Sequence, residues 1–369
     1  MNLYTKFNTK TKFFQYNFIS MRIKCIKNKR MVELMIGFSM VEITSIILTI
    51  VVIYVNGLTD APNSVATCIT TGCMSLKNAV FMSAFFNIVG VVVMTLTNSS
   101  VAETILTMVD FGQNYEKASI AVAASLFSIV LWAVIAWWFG IPTSESHALI
   151  AGVSGGAIAV NNSLAGVNSA EWLKAVYGLF TSCFGGFILG YIVCKCVMVI
   201  FKNVKKSKSN KFFTVAEIVA AASMSFMHGA QDGQKFFAVL IMCAGVQVER
   251  SNNLFVIILC ALVMGLGTAT GGKKIIKSVG MDMVRLEKYQ GFSADTASSV
   301  ALFLSTVLGF PVSTTHAKTT AMIGAGAAKN KRSLNTAVVK DIVLTWVLTF
   351  PCCGALGFFV TKIFLKILL

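Results

Sequence analysis

Gly309-Phe310-Pro311-Val312-Ser313-Thr314-Thr315-His316-Ala317 is a polar knot set between two apolar runs. It has a twin 169 residues earlier, Gly140-Ile141-Pro142-Thr143-Ser144-Glu145-Ser146-His147-Ala148, which matches every fixed position of the pattern Gly-apolar-Pro-x-Ser-x-x-His-Ala. Proline followed by small hydroxyl residues signals a helix start, because the hydroxyls accept from free backbone N–H groups and proline carries no donor to leave unpaired. Such a start presents N–H donors and the positive end of the helix dipole, a combination suited to an anion. Two of them facing each other within a membrane would form a binding site.

Composition sets the class. The chain is 56% hydrophobic and 12% charged, whereas an ordinary soluble domain is about a quarter charged. Several apolar segments reach the roughly 20 residues that cross a bilayer as helix. No succession of short alternating strands accompanies them, which favours a helical bundle over a barrel. These features predict an all-α polytopic protein, multi-pass in the cell membrane, with the lipid bilayer as its solvent. The formal charge of +16 falls in the non-apolar segments and reads as positive-inside loops and anchors. No basic face interleaved with aromatics points to nucleic acid. The ten cysteines lie mostly in apolar runs without Cys-x-x-Cys spacing and read as small apolar residues.

Along the chain, residues 1–34 form a basic arm: no acid occurs before Glu33, and no cleavage site of small residues follows an apolar core. The arm reads as a disordered or interfacial extension, or as sequence upstream of a misplaced start. An apolar helix from about Ile36 is broken by Asn56-Gly57-Leu58-Thr59-Asp60-Ala61-Pro62-Asn63-Ser64. So polar a break at membrane depth is tolerated only where protein or a wet cavity satisfies it. Helices are predicted over roughly 79–96 and 120–139, then the first knot as the tip of a re-entrant hairpin. The stretch 172–201 is one helix bent near Gly185-Gly186, or two. Residues 202–211, rich in lysine, form a linker expected to be cytoplasmic.

The plan then begins again, giving 35–201 and 212–369 as two repeats. His228-Gly229-Ala230-Gln231-Asp232-Gly233-Gln234-Lys235 is predicted as a second break, followed by a helix over about 254–266, a polar segment 271–290, the apolar run 300–308, the second knot and closing helices over 342–369. Asp60 precedes His147 by 87 residues and Asp232 precedes His316 by 84. Paired discontinuous segments in two halves point to the midplane binding site of a transporter.

The four motifs together resemble the inorganic phosphate transporter (Pit) family, whose halves each carry a Gly-x-Asn-Asp-x-x-Asn-like break and a Pro-x-Ser-Thr-Thr-His-like tip. The resemblance covers the chain beyond about Met35. It implies symport of phosphate with sodium ions or protons, on inverted repeats built of scaffold and transport elements. Asp60 and Asn63 match the first break; His228, Gly229, Asp232 and Gln234 match the second; Ser313, Thr314, Thr315 and His316 match the second tip. Thr59 and Gln231 stand where asparagine is common, Lys235 stands opposite Asn63, and Glu145 and Ser146 replace the Thr-Thr of the first tip.

Phosphate needs donors around all its oxygens, which hydroxyls and N–H groups at two opposed tips supply without a buried positive charge. Ser144, Ser146, Ser313, Thr314 and Thr315, with Asp60, Asp232 and Gln234, are therefore the expected phosphate contacts. Carboxylates near an anion make sense with a cation between them, so Asp60, Asn63, Asp232, Gln231 and Glu145 are expected at the coupling cation. Asp60, Asn63 and Asp232 would be the ligands if that cation is sodium. An ionised Glu145 would repel phosphate unless protonated, paired or turned away. His147, His228, His316 and Lys235 are expected behind the contact residues. No cofactor is expected; a homodimer is among the assemblies open to the chain. Sulfate would suit the same donors, although only phosphate can donate a hydrogen bond to Asp60, Asp232 or Glu145. An intramembrane hydrolase using Ser313 or Ser144 lacks an elbow motif, and a passive channel would not need broken helices.

Overall fold

The computed structural model describes residues 39–139, 143–244, 253–271, 283–330 and 334–369. The basic arm at 1–34, Gly140, Ile141 and Pro142 of the first knot, and most of the polar segment 271–290 lie outside the described residues. Within them the chain is almost wholly helical, as hydropathy requires of backbone that has no water to bond to. In order these are α1 (Met40–Thr59), a 3-10 turn Ala61–Val65, α2 (Ala66–Thr70), α3 (Leu76–Thr97), α4 (Ser100–Met108), α5 (Tyr115–Phe139) and α6 (Glu145–Asn161). There follow α7 (Ser169–Phe180), a π turn Thr181–Gly185, α8 (Gly186–Ile200), α9 (Lys206–Ala244), α10 (Leu254–Thr270), α11 (Lys288–Val307), α12 (Thr314–Lys329) and α13 (Thr336–Leu368). Among the described residues six stretches are long and apolar enough to cross a membrane: Met40–Thr70, Leu76–Thr97, Tyr115–Ala136, Ser169–Ile200, Lys206–Cys243 and Thr336–Leu368.

The two polar stretches expected to break helices behave differently. The first does break: α1 stops at Thr59, and Asp60 leads into the 3-10 turn with Pro62 near its start. Proline has no N–H to give and its ring crowds the preceding turn, so the α-helix cannot run through. The second, His228 to Lys235, does not. α9 runs as one 39-residue helix across it. That stretch holds no proline, its backbone keeps its helical bonds, and its polar side chains find partners sideways on neighbouring helices. The stretch 172–201 lies in one continuous span, Ser169–Ile200, with the π turn inside it, and the closing stretch is one helix that tolerates Pro351 inside it. α4 falls in a segment with no helix predicted.

α6 and α12 start at the two knots. At 17 and 16 residues and about 1.5 Å per residue, each falls short of the roughly 30 Å of a hydrocarbon core. Both are small-residue helices packed closely by their neighbours. α6 lies against α5 and α13, and α12 against α11 and α8. α6 is thus covered by the helix that precedes it and by the C-terminal helix, and α12 by the helix that precedes it and by α8, the last helix before the linker. α9 is the spine between them, packed on α3 and α11. A Cβ on Gly229 would come within 2.2 Å of the Asn87 carbonyl oxygen and one on Gly90 within 2.0 Å of that of Phe226, so α3 and α9 meet backbone to backbone. Gly309 (φ +71°) makes the left-handed turn that ends α11 and sends the chain into the second knot.

Candidate functional site

Each knot caps its own helix. Ser144 Oγ accepts from His147 N at 3.3 Å and Ser313 Oγ accepts from His316 N at 3.2 Å, the N-cap geometry the sequence announces. The two caps also touch: Ser144 Oγ donates to Ser313 Oγ at 2.9 Å. Two helix N-termini from distant parts of the chain therefore face each other across one hydrogen bond, with their partial positive charges converging. Ser144, Ser146, Ser313, Thr314 and Thr315 are all buried.

Asp232 lies under this junction on α9. Its Oδ1 accepts from Lys235 Nζ at 2.7 Å and from Ser146 Oγ at 3.2 Å, and its Oδ2 accepts from Thr314 Oγ1 at 3.1 Å and from Asn56 Nδ2 at 3.3 Å. One carboxylate thus ties both knots and α1 to the spine. His228, one turn earlier, places Nε2 3.3 Å from Asp232 Oδ2 and donates from Nδ1 to Asn87 Oδ1 at 2.8 Å. Lys235 is buried at 0% exposure and does not snorkel. Its ammonium also donates to Ser146 Oγ at 2.6 Å and to the Val312 carbonyl at 2.5 Å.

Asp60 holds the other side of the junction. It is buried, within electrostatic reach of the Thr315 hydroxyl and of the backbone N–H of Glu145, the first residue of α6. Asn63 Nδ2 donates to Thr315 Oγ1 at 3.3 Å. Glu145 is buried with Oε1 3.4 Å from Thr59 Oγ1, which donates to it, so it is neither turned to water nor paired with a lysine. Among the described residues three buried oxygens have no hydrogen-bond partner on residues next to Asp60: Asn56 Oδ1 and Asn63 Oδ1, which flank it in the chain, and Glu145 Oε2, whose carboxylate is within electrostatic reach of it. All are acceptors, and unpaired buried acceptors are costly. A proton or a cation among them would satisfy them.

The remaining expected residues spread around this core. Gln231 Nε2 donates to the Phe310 carbonyl at 3.0 Å, bracing the second knot. Gln234 faces α4, where its Oε1 accepts from Val101 N at 3.2 Å. α4 supports the second knot too, since Thr104 Oγ1 donates to the Gly309 carbonyl at 2.9 Å. His147 stacks on Phe350 and meets His316 edge to face, each pair with ring centroids 4.4 Å apart, while His316 stacks on Trp346 at 3.7 Å. The histidines therefore stand behind the tips, packed against α13.

A second polar cluster escapes sequence reading. Lys318, one turn into α12, forms a fully buried ion pair with Asp295 of α11. Thr67 Oγ1 donates to both Asp295 oxygens at 2.9 Å. Nearby Glu217 of α9 accepts from Thr71 Oγ1 and Cys73 Sγ, both at 2.9 Å. The signal was present in the sequence: ionisable residues inside apolar or glycine-rich helices, the same feature that singled out Asp60.

A helical membrane protein with two capped helix starts meeting at buried carboxylates has the architecture of a membrane transporter. The profile of the Phosphate transporter family matches residues 56–209 and again 201–357, and the chain belongs to that family. A probable low-affinity inorganic phosphate transporter of Bacillus subtilis is 34% identical over 323 residues, 85% of this chain and 96% of the relative. One of Rhizobium meliloti with the same description is 35% identical over 312 residues, 82% and 90%. Among solved structures, one described as the sodium-dependent phosphate transporter superposes with a TM-score of 0.79 at 21% identity, covering 90% of this chain and all of that one. The function is transport rather than catalysis, in a multi-pass membrane protein.

Proposed function

We propose that the protein imports inorganic phosphate by symport with a cation, a sodium ion or a proton, through alternating access around the junction of the two knots. The observation that carries the reading is the direct bond between the two helix caps, Ser144 Oγ to Ser313 Oγ at 2.9 Å, flanked by Asp60 and Asp232. Phosphate entering there would replace one hydroxyl–hydroxyl bond with donors from both helix starts: the hydroxyls of Ser144, Ser146, Ser313, Thr314 and Thr315 and the first-turn N–H groups. A protonated phosphate oxygen would donate to a carboxylate at the junction, which sulfate cannot do.

The coupling cation is assigned to Asp60, where the unpartnered oxygens of Asn56, Asn63 and Glu145 lie. Phosphate beside these carboxylates is tolerable only once a positive charge has joined them, and the cation is held more firmly once phosphate is present. That mutual requirement is a coupling free energy and is reciprocal. The two motif-bearing halves, 35–201 and 212–369, read as inverted repeats with the linker 202–211 on the cytoplasmic side. The knot helices α6 and α12 are the elements expected to change partners between states.

The test is uptake of radiolabelled phosphate into proteoliposomes, with sodium and proton gradients imposed separately, sulfate as competitor and Asp232→Asn as control. Concentrative uptake lost in the variant is the expected result. Sulfate accumulating while phosphate stays at background would refute the substrate.

A further inference from the structure

Among the described residues two lysines, Lys235 and Lys318, are fully buried, and their surroundings are alike. Lys235 Nζ donates to one carboxylate oxygen (Asp232 Oδ1), one hydroxyl (Ser146 Oγ) and one backbone carbonyl (Val312 O). Lys318 Nζ donates to one carboxylate oxygen (Asp295 Oδ1), one hydroxyl (Thr67 Oγ1, 3.0 Å) and one backbone carbonyl (Ser64 O, 3.4 Å). An ammonium has three N–H donors, and each is matched by one oxygen with none to spare. Both side chains are 0% exposed. Carboxylate, hydroxyl and carbonyl oxygens converging on one point are also the donor set of a hard cation.

The two cages bridge corresponding kinds of element. Lys235 reaches from the spine α9 to the first knot helix and to the residue before the second cap. Lys318 reaches from the second knot helix to the broken segment, at Ser64 just after Asn63, and to α11. Asp295 receives Thr67 Oγ1 as well, and Glu217 lies within electrostatic reach of Lys318.

We infer that Lys235 and Lys318 are tethered cations: each ammonium fills a site of monovalent-cation geometry, so that the protein carries internally two positive charges that it would otherwise take from solution. The Lys318 cage is a cation site outside the phosphate junction, and Lys318 fixes its occupant. On the transport reading, on which this consequence rests, external cation is needed only at Asp60. Removing the side chain of Lys318 should then convert its cage into a sodium site.

The experiment uses the full-length purified protein and measures two quantities in sodium, potassium and choline chloride: saturable binding of radiolabelled sodium, and Tm. The chains compared are the unmodified protein, Asp295→Ala, Lys318→Ala, and the double variant Lys318→Ala with Asp295→Ala. Lys318→Ala is expected to gain one saturable sodium site per chain over the unmodified protein, with a Tm that rises and levels off as sodium is added, but not as choline is. The double variant is expected to lose both effects. A folded Lys318→Ala with no added sodium site overturns the inference. So does a sodium site in the unmodified protein that Asp295→Ala abolishes. If Lys318→Ala folds only when purified in sodium, the inference holds; if it is recovered in neither salt, sodium does not replace the ammonium and the inference falls. Neither readout requires phosphate, so failure of the transport reading would show separately, as absent phosphate uptake by the unmodified protein.

Discussion

Replacing Asp232 or Lys235 is the sharpest perturbation of the junction. Asp232→Ala leaves the Lys235 ammonium buried with only Ser146 Oγ at 2.6 Å and the Val312 carbonyl at 2.5 Å. Lys235→Met leaves the carboxylate with the neutral donors Ser146, Thr314 and Asn56 at 3.1–3.3 Å. Breaking a buried ion pair by removing one partner costs about 3–5 kcal/mol, because the survivor is an uncompensated charge. The carboxylate keeps three donors and the ammonium two acceptors, so Asp232→Ala is expected to be the more destabilising of the two. The double variant retains neither charge. Its cost should fall short of the sum of the single costs by about 3 kcal/mol, the coupling that a double-mutant cycle isolates. Unfolding titrations in mixed micelles supply the four stabilities. If the costs add to within about 0.5 kcal/mol, the level found for independent sites, the two groups do not act as a pair and the electrostatic account of the junction is wrong.

Other outcomes follow from the same geometry. Asp60→Asn should retain phosphate binding, read by calorimetry, while losing concentrative uptake; unaltered accumulation would remove Asp60 from coupling. Ser144→Ala and Ser313→Ala should each cost about 1 kcal/mol of stability through the lost cap and weaken phosphate binding, and their stability costs should be non-additive because the two hydroxyls share a bond. Gly90→Ala forces a Cβ against the Phe226 carbonyl at 2.0 Å, so it should destabilise by about 1–3 kcal/mol through overpacking and lower the Tm; an unchanged Tm would mean that the α3–α9 contact gives way freely.

The membrane class, the positions of most helices and the residues of the junction could be read from hydropathy, from one proline and from a repeated pattern. These are local: a run of apolar residues has to be helix in lipid, and Ser144 and Ser313 cap helices because a hydroxyl three residues ahead of a backbone N–H can reach it. Pro62 breaks α1 for an equally local reason, and its absence from 228–235 is why α9 continues where a polar run alone suggested a break.

Pairings between distant segments have no such local cause. That Ser144 bonds Ser313, that Asp232 joins both knots to α1, that Gln234 faces α4, and that α6 is covered by α13 and α12 by α8 depend on which faces meet when the helices pack. A buried charge such as Lys318 or Asp295 can be seen in the sequence as costly, but nothing in the sequence says what offsets the cost. Partners 23 residues apart on two helices are brought together by the way α11 and α12 fold back on each other around Gly309, and only in that packing do an ammonium and its three oxygens become one site.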